Sequence, residues 1–546
     1  MPQPAAKPEK TEAPLHPGTP LTVLGMSRSG YAAAMYAVKR GQSVFLSEYS
    51  PLSPANEDKI ATLKALGVAL EVGGHGKACF SHAETVVLSP GIPPSASIIE
   101  QLTLSKKSLM AEVNYGWLAL QALNQKRSNQ NSSGIKTIGI TGTNGKSTVT
   151  TLLSAMFACD QKTAPACGNI GIPLTSVLDK IIPIKAKSET NNNTKVNTKP
   201  EDQQNTQLQA DTPVPEALVI ELSSYQLAFS PDLHCDIAIL TNFQPDHLAW
   251  HGSVENYKAA KLSLFSKKNA GVSIEPQWAI LPADDPVSHE IAAILNTQET
   301  SIFWFSPEAA SVAGYENKAF INASGYVVVQ TANQPVIEVL NSADCQLIGR
   351  HNQSNILAAT CAAILSGISI AAIKKACLAF KGLPHRLNLV TSVQKQMSGN
   401  QNQTKGQNES PIAVKFYNDS KATNTDAAIC AMKAFDTEKI ILIAGGHDKL
   451  TPLDDFVKQC IENTQAVILL GQAADRFQKA LIAGGYHQAG IYSVKTLADA
   501  VHQGFSLSEG SPVVLSPACA SFGEFNDFEA RGNAFEKIVK ELAVQP

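Results

Sequence analysis

Short β-branched runs alternate with longer stretches of helix-like composition along most of this 546-residue chain. The runs are LTVLG, TIGIT, ALVIEL, DIAILTNF, IILIAGG, AVILLG and PVVLSP. Strands that alternate with helices form βαβ units, whose strands pair in parallel. The alternation therefore predicts an α/β protein with mostly parallel sheets.

The length and the charge of the chain exclude several classes of protein. At roughly 150 residues per domain, the length predicts three or four domains. Lys and Arg number 44 against 47 Asp and Glu, a net charge of −3, so no global charge attracts nucleic acid or an anionic membrane. The ten cysteines form no C-x-x-C pair, which argues against a disulfide framework or a zinc ribbon. A reducing cytoplasm is the expected location.

Several segments have a composition that cannot build a core. The proline-rich residues 1–19 lack the apolar stretch of a secretory signal, and we interpret them as a disordered tail. Residues 121–134, 183–216 and 394–411 are rich in Asn, Gln, Ser, Thr and Lys. Such segments cannot offset their own ordering entropy, so we expect loops or insertions in loops there.

One uncharged stretch has the length of a membrane span. It covers the 18 residues from Ile356 to Ile373. Polar residues and a glycine interrupt it, and Ser369 has the character of an N-cap for a second helix. We therefore predict two buried helices and no membrane insertion.

The first strand ends in half of a dinucleotide fingerprint. Gly25, Ser27 and Arg28 form the turn, with Ser27 where the second glycine is usual, and Glu48 ends the next strand. One interpretation is a site for a uridine or nucleotide-sugar diphosphate at a helix N-terminus. The alternative is a tight strand-to-helix turn without a binding role.

A stronger motif follows at Thr137–Thr148, where a strand leads into a glycine loop and a helix. Backbone N–H groups of such a loop bind phosphates, Lys146 brings a charge to the β and γ oxygens, and the Ser147 hydroxyl can bind Mg²⁺. Ile140 occupies the first glycine position of the commonest consensus, so this is the shorter G-T-N-G-K-S form. The predicted phosphate-binding residues are Gly142, Thr143, Asn144, Gly145, Lys146, Ser147 and Thr148.

Other residues in this part of the chain could complete a magnesium site. Glu221 ends the strand ALVIE, where a P-loop fold needs a carboxylate. His247 follows the strand DIAILTNF and could be a metal ligand, although a lone histidine is usually structural. Lys261 alone would be expected on a solvated helix face. A guanine-recognition motif of the N/T-K-x-D type is missing from the chain, so ATP is favoured over GTP.

A series of motifs in order along the chain resembles the Mur ligase family. They are TGTNGKST, GNIG, ELSSYQ, TNFQPDHL, YKAAKL, GRHNQSN, GLPHR, NDSKATN, AGGHDK and LSPACASFGEF. The resemblance extends from about residue 20 to the C-terminal end, apart from the polar insertions. The P-loop, the Asp-His pair and the His-Asn-x-x-Asn string are typical of the whole family, whereas NDSKATN and SPACAS are typical of the member that adds D-glutamate.

The resemblance implies an activity, substrates and cofactors. ATP would phosphorylate the carboxylate of UDP-N-acetylmuramoyl-L-alanine, and the amine of D-glutamate would attack the acyl phosphate, in peptidoglycan precursor synthesis. Two Mg²⁺ ions and Lys146 would screen the reacting anions. Ser147 and Glu221 resemble ligands of the first Mg²⁺, and His247 a ligand of the second. Lys261 matches a family lysine that is carried as a carbamate.

The resemblance also assigns the remaining candidate residues. Those implied to contact ATP are Asn352, Asn355, Arg386 and Asp419. Those implied to contact UDP-N-acetylmuramoyl-L-alanine are Gly25, Ser27, Arg28, Glu48, Asn169 and Ser223. Those implied to contact D-glutamate are Lys421, Thr423, Lys449, Ser521 and Phe528. The alternative for this last group is that its members are turn residues at strand ends without a binding role. Asp448 stands where some members of the family have glycine.

We therefore expect a monomer of three α/β domains. They are a Rossmann-like UDP-binding domain at 20–125, a P-loop ATPase domain with a mostly parallel sheet at 126–383, and a Rossmann-like amino-acid-binding domain at 384–546. Two alternatives remain open. One is another amino-acid ligase of the family, adding L-alanine, a diamino acid or glutamate to folate. The other is a P-loop ATPase switch that performs no ligation.

Overall fold

The computed structural model describes residues 18–51, 56–182, 214–269, 272–295, 300–332, 334–396, 411–435, 438–448 and 450–544. Over these residues it contains sheets of five, nine and six strands and a short two-stranded hairpin. Helices occur between most of the strands, so the predicted α/β class with three sheet-bearing regions is confirmed. Most of the tail 1–19, most of the insertions 183–216 and 394–411, and Lys449 lie outside the described residues.

The strands are numbered in chain order. They are β1 Leu21–Leu24, β2 Val44–Glu48, β3 Ala69–Val72, β4 Thr85–Leu88, β5 Ser108–Ala111, β6 Lys136–Thr141, β7 Ala166–Gly168, β8 Ala217–Glu221, β9 Ile237–Leu240, β10 Lys267–Asn269, β11 Val272–Ile274, β12 Trp278–Pro282, β13 Ser301–Glu308, β14 Lys318–Ile321, β15 Tyr326–Thr331, β16 Gln334–Asn341, β17 Asn388–Lys395, β18 Ile412–Asn418, β19 Ile440–Gly445, β20 Thr464–Leu470, β21 Ile491–Ser493 and β22 Val513–Leu515.

The α-helices are numbered in the same way. They are α1 Arg28–Lys39, α2 Glu57–Ala65, α3 Ala78–Ser81, α4 Ser97–Leu104, α5 Glu112–Asn129, α6 Lys146–Cys159, α7 Leu174–Ile181, α8 Ser224–Ala228, α9 Leu248–His251, α10 Val254–Leu262, α11 Pro286–Ile294, α12 Arg350–Leu365, α13 Ile370–Ala379, α14 Thr425–Met432, α15 Asp454–Asn463, α16 Ala474–Ala483, α17 Leu497–Leu507 and α18 Phe528–Val544.

Parallel pairing dominates the three sheets. The first has the order β3-β2-β1-β4-β5, and every pair in it is parallel. The second has the order β16-β15-β14-β13-β12-β9-β6-β8-β7, with antiparallel pairs only at the β14 to β16 edge. The third has the order β17-β18-β22-β19-β20-β21, and β17 is its antiparallel edge. Carboxyl ends of neighbouring parallel strands meet at one edge, and this is where α/β proteins bind ligands.

Contacts group the chain into two compact units. The first unit holds the first two sheets and Ser354–Cys377, and the second holds Ala343–Gln353 and the chain from Leu378 onward. In the first unit α5 and α1 pack against α7, which joins the first sheet to the second. The three domain boundaries remain a prediction.

The structure corrects one of the three predicted loops. Helix α5 runs from Glu112 to Asn129, through most of the segment 121–134. Its first half is buried, including Tyr115 and Trp117, and this packing stabilises the helix. The helix then continues into a stretch of Gln, Lys and Arg, which are good helix formers even though they are polar. Composition alone did not distinguish a solvated helix from a loop.

The stretch Ile356–Ile373 is folded as predicted. Helices α12 and α13 occupy it with a break before Ile370. Ser369 Oγ accepts from Ala372 N at 3.3 Å, which confirms its capping role. Among the described helices, none has the length and apolar character needed to cross a membrane.

Candidate active site

The glycine loop between β6 and α6 is built for a close approach to the backbone. Gly142 has φ of 141° and Gly145 has φ of 84°, values that side chains beyond glycine rarely adopt. A Cβ atom at Gly145 would also collide with the side chain of Asn355. Helix α6 begins immediately afterwards at Lys146, so its first N–H groups face the loop. This geometry favours binding of a phosphate.

Two lysines converge on one carbonyl group of this loop. Lys146 Nζ donates to the carbonyl oxygens of Gly142 and Thr143 at 2.9 and 2.8 Å. Lys261 Nζ, from α10, donates to the same Gly142 oxygen at 2.6 Å. Lys261 is only 1% exposed, so it does not lie on a solvated helix face.

Burial and mutual repulsion act on the protonation of these groups. The pKa of Lys261 lies well below its usual value, chiefly because of burial and then because of the charge of Lys146. Burial also lowers the pKa of His247; Asp246 opposes this, and the charges of Lys146 and Lys261 add to it. Lys146, His247 and Lys261, predicted separately from sequence, therefore lie within one electrostatic neighbourhood.

Tyr257 is a member of this site that the sequence analysis missed. Its hydroxyl lies 2.9 Å from Thr143 Oγ1 in the glycine loop, and its ring lies 4.6 Å from Lys261 Nζ. Tyr257 and Lys261 are four residues apart on α10, so they share one helix face. That spacing was visible in YKAAK and was the signal that could have identified it.

Glu221 has one carboxylate oxygen without a partner. It ends β8 and is 2% exposed. Its Oε1 accepts from Asn169 Nδ2 at 2.8 Å, whereas among the described residues Oε2 is buried and accepts no hydrogen bond. A buried, unsatisfied carboxylate oxygen suits a hard cation such as Mg²⁺. The described part of the chain contains no ready cluster of three or more His, Cys, Asp or Glu side chains for a metal.

Ser223 has a structural role in addition to its predicted one. It is the N-cap of α8, and a capping box joins it to Gln226. The N-cap lies two residues after Glu221, and α8 begins at the next residue, so the helix starts almost directly after the end of β8.

The predicted nucleotide-sugar residues gather at the carboxyl ends of β1 and β2. Glu48 Oε2 accepts from the backbone N of Met26 at 2.5 Å, so it holds the turn. Ser27 Oγ donates to Ser89 Oγ at 3.0 Å, and Ser89 Oγ in turn donates to Gly25 O at 3.1 Å. Ser89 was not identified from sequence, because it belongs to a loop after β4 that only the sheet order brings here. Arg28 begins α1.

Two of the remaining predicted ATP contacts, Asn352 and Asp419, are held in place by hydrogen bonds. Asn352 Nδ2 donates to Ile348 O at 2.8 Å at the start of α12. Asp419 accepts from Ser516 Oγ at 2.7 Å and from Leu387 N at 3.2 Å. Burial raises the pKa of Asp419 to about 7, against the opposing effect of the Ser516 hydrogen bond. Arg386 is next to Leu387, and its role stays a prediction.

Four of the five predicted D-glutamate residues are described: Lys421, Thr423 and Ser521 lie in loops of the third sheet, and Phe528 begins α18. Lys421 Nζ lies 3.7 Å from the centre of the Phe528 ring, which brings these two predicted residues together. Thr423 N donates to Lys421 O at 2.8 Å, and Ser521 is 5% exposed. These loops follow β18 and β22, which are paired in parallel.

Comparisons with known proteins agree along nearly the whole chain. The Mur ligase middle domain matches residues 140–363. A UDP-N-acetylmuramoylalanine–D-glutamate ligase of Caldanaerobacter subterraneus subsp. tengcongensis is 32% identical over 521 residues, 95% of this chain and 98% of the relative. One of the same name from Acidobacterium capsulatum is 32% identical over 524 residues, 96% of each chain. A solved pseudomurein peptide ligase type C from Methanothermus fervidus is 14% identical, and the match covers 96% of this chain and 100% of that protein's chain. Its TM-score is 0.47, which is too low to add to the assignment. This chain therefore belongs to the Mur ligase family, in the branch whose members are named UDP-N-acetylmuramoylalanine–D-glutamate ligase.

Proposed function

We propose that this protein uses ATP to join D-glutamate to UDP-N-acetylmuramoyl-L-alanine through an acyl phosphate. The observation that carries the proposal is the convergence of Lys146 and Lys261 on Gly142 O, in a glycine loop before a helix N-terminus. The identity of the amino acid is supported by full-length relatives of that name. A non-ligating ATPase switch would not explain that full-length similarity.

In the first step two anions, the substrate carboxylate and ATP, must approach each other. A carboxylate oxygen of the sugar-linked alanine attacks the γ-phosphorus of ATP, the bond to the β-phosphate oxygen breaks, and ADP leaves. Lys146 and the N–H groups that begin α6 would stabilise the charge on the transferred phosphoryl group. The amine of D-glutamate then attacks the acyl carbon, phosphate leaves, and the nitrogen loses a proton.

The donor set fits bound Mg²⁺. The unpartnered Oε2 of Glu221 and the Ser147 hydroxyl would hold one ion, and the neutral imidazole of His247 a second. When bound, Mg²⁺ supplies positive charge next to the phosphate oxygens. Both sites remain proposals.

We infer that Lys261 is carried as a carbamate. Burial lowers its pKa, which favours the neutral amine, and only the neutral amine has the lone pair that attacks carbon dioxide. The nitrogen bonds to the carbon, one proton leaves, and the product is an anion with two oxygen donors. That change turns a neutral amine close to Lys146 into an anionic ligand suited to Mg²⁺.

The other assignments are proposed on the strength of the resemblance. Asn355, Asn352, Arg386 and Asp419 would contact ATP. Gly25, Ser27, Arg28, Glu48, Asn169 and Ser223 would contact the UDP-linked substrate. Lys421, Thr423, Lys449, Ser521 and Phe528 would contact D-glutamate. A monomeric state and a cytoplasmic location are likewise proposals.

The test is phosphate release from ATP in the presence of UDP-N-acetylmuramoyl-L-alanine, with amino acids of both hands supplied one at a time. We expect release to depend on D-glutamate and the product to gain its mass. Release with L-alanine, a diamino acid or an L-amino acid instead would identify another ligase of the family. Release without any amino acid would favour an ATPase switch.

A further inference from the structure

A cavity of ≈ 200 Å³ lies in the second unit, beside loops that follow three parallel strands. Gly445 and Gly446 come from the end of β19, Leu470 ends β20, and Ser521 comes from the loop after β22. Strand β22 lies between β18 and β19 in the sheet, so the chain reverses direction across the sheet next to this cavity. Such switch points are where doubly wound sheets bind ligands.

Arg531, on α18, ties together two loops beside the cavity. Its side chain is 4% exposed. Nε donates to Ser420 Oγ at 3.0 Å, and Nη2 donates to the carbonyl oxygens of Ser420 and Cys519 at 2.9 and 3.1 Å. Ser420 precedes Lys421, and Cys519 lies two residues before Ser521. Two of the three guanidinium nitrogens are therefore committed to holding these loops together.

The third nitrogen, Nη1, has no hydrogen-bond partner among the described residues. Arg531 lines the cavity, and a Cβ atom built at Gly446 would lie 3.2 Å from Nη1. The missing side chain at Gly446, whose φ is 135°, leaves that approach open. A buried charged donor without an acceptor is costly, so an acceptor in the cavity would be stabilising.

The guanidinium has no carboxylate in direct contact among the described residues. The charges of the exposed Glu524 at the cavity rim and of Asp419 act on it only from beyond ion-pair distance. Burial lowers the pKa of Arg531 to about 10, which still leaves it protonated at neutral pH. A cation at the wall of a cavity attracts an anion, and the fork of Arg suits a carboxylate.

The rest of the lining limits what the anion can be attached to. Leu470, Leu497 and Leu515 contribute apolar surface, and Ser521 contributes a hydroxyl. A short methylene chain that ends in a carboxylate matches this combination, whereas a phosphate would leave the leucines without apolar contacts.

We propose that Arg531 Nη1 binds the side-chain carboxylate of the incoming amino acid, with the methylene groups against the leucines. Arg531 is then a specificity-determining residue that selects glutamate over amino acids with uncharged side chains. The inference rests on the proposed function and adds to it the group that recognises the distal end of D-glutamate.

The experiment compares two substrates in matched variants. kcat/KM is measured for D-glutamate and for D-glutamine, which has the same shape without the charge, in the parent, Arg531→Met and Ser420→Ala. In the parent, kcat/KM is expected to be higher for D-glutamate than for D-glutamine. In Arg531→Met the ratio of the two kcat/KM values is expected to fall by about 10- to 100-fold. Ser420→Ala removes a loop contact and leaves Nη1 in place, so kcat/KM should fall by the same factor for both substrates.

A second variant covers the case in which Arg531→Met does not fold, as judged by thermal unfolding. Leu497→Trp fills part of the cavity and leaves every bond of Arg531 intact. We expect it to raise the KM for D-glutamate at least about 10-fold and to leave the KM for ATP unchanged. An unchanged preference in a folded Arg531→Met, or an unchanged KM in Leu497→Trp, overturns the inference. Absence of D-glutamate-dependent turnover in the parent would instead overturn the proposed function.

Discussion

Two buried basic side chains, Lys261 in the first unit and Arg531 in the second, respond differently to burial. Lys261 is 1% exposed and Arg531 is 4% exposed. Burial moves the pKa of Lys261 well below its ordinary value, whereas that of Arg531 falls only to about 10. Lysine can become neutral and chemically reactive, but arginine keeps its charge because the guanidinium is delocalised. One region thus holds an amine that can be modified, and the other a permanent cation.

Each unit also contains a buried acid whose pKa is raised to about 7. Glu112 is 1% exposed, and burial raises its pKa to about 7, against hydrogen bonds from Thr175. Asp419 in the second unit is shifted in the same direction to about 7. A buried acid becomes harder to ionise just as a buried base becomes harder to protonate, so burial moves both groups toward their neutral forms.

The largest expected effect is at Lys146. Lys146→Ala should reduce turnover by about 10³-fold or more, because charge on the transferred phosphoryl group is no longer stabilised. The thermal unfolding midpoint should change little. Lys162→Ala, a lysine beyond the end of the same helix, should retain activity. Near-normal turnover of Lys146→Ala would refute the P-loop assignment.

Substitutions at Lys261 test whether the buried lysine acts as a modified anion. Lys261→Arg keeps a positive charge that cannot become a carbamate, and we expect a loss on the order of 10²-fold. Lys261→Ala should be equally impaired and partly rescued by a small added carboxylate. Lys258→Ala is the matched control, because Lys258 lies on the same helix as Lys261 but is partly exposed and pairs with Glu290 of α11. Full activity of Lys261→Ala without carbon dioxide would contradict the carbamate.

The buried acid Glu112 should make stability depend on pH. Because its folded pKa of about 7 lies above the ordinary value of 4.5, its contribution is fully present below about pH 4.5 and is lost as the pH rises through about 7. The loss by pH 8 is about 3 to 4 kcal/mol. Glu112→Gln should flatten the decline of the unfolding midpoint between pH 5 and 8, whereas the exposed Glu84→Gln should not. An equally steep decline in both would exclude Glu112 as the cause.

The smallest effect is expected at the loop that precedes Lys449. Asp448, one of the departures from the family, accepts two hydrogen bonds from Arg476, at 2.6 and 2.7 Å. The pair is partly exposed, so Arg476→Ala should raise the KM for D-glutamate only about 3- to 10-fold and leave that for ATP unchanged. Equal changes in both constants would show that the pair is purely structural.

Local chemistry made several features predictable from sequence. Glycine, lysine and serine between a strand and a helix were enough to predict the glycine loop between β6 and α6, because its conformation depends on residues within a few positions. Ser369 was identified as a helix cap for the same reason. Helix α5 was not predicted, and part of it lies in the segment 121–134 that composition assigned to a loop, since its stability depends on packing of Tyr115 and Trp117.

Sequence alone determined which chemistry-bearing residues occur and in what order: the glycine loop with Lys146, the carboxylate at the end of β8, and the motifs that contain Lys261 and Thr423. Tertiary structure decided which of them are buried. Lys258 and Lys261 are three residues apart on one helix, yet one is 30% exposed and paired with Glu290, and the other is enclosed beneath Tyr257. The free Nη1 of Arg531 likewise depends on three loops that are distant in sequence. Burial sets protonation and charge, and burial is a property of long-range packing that no local pattern encodes.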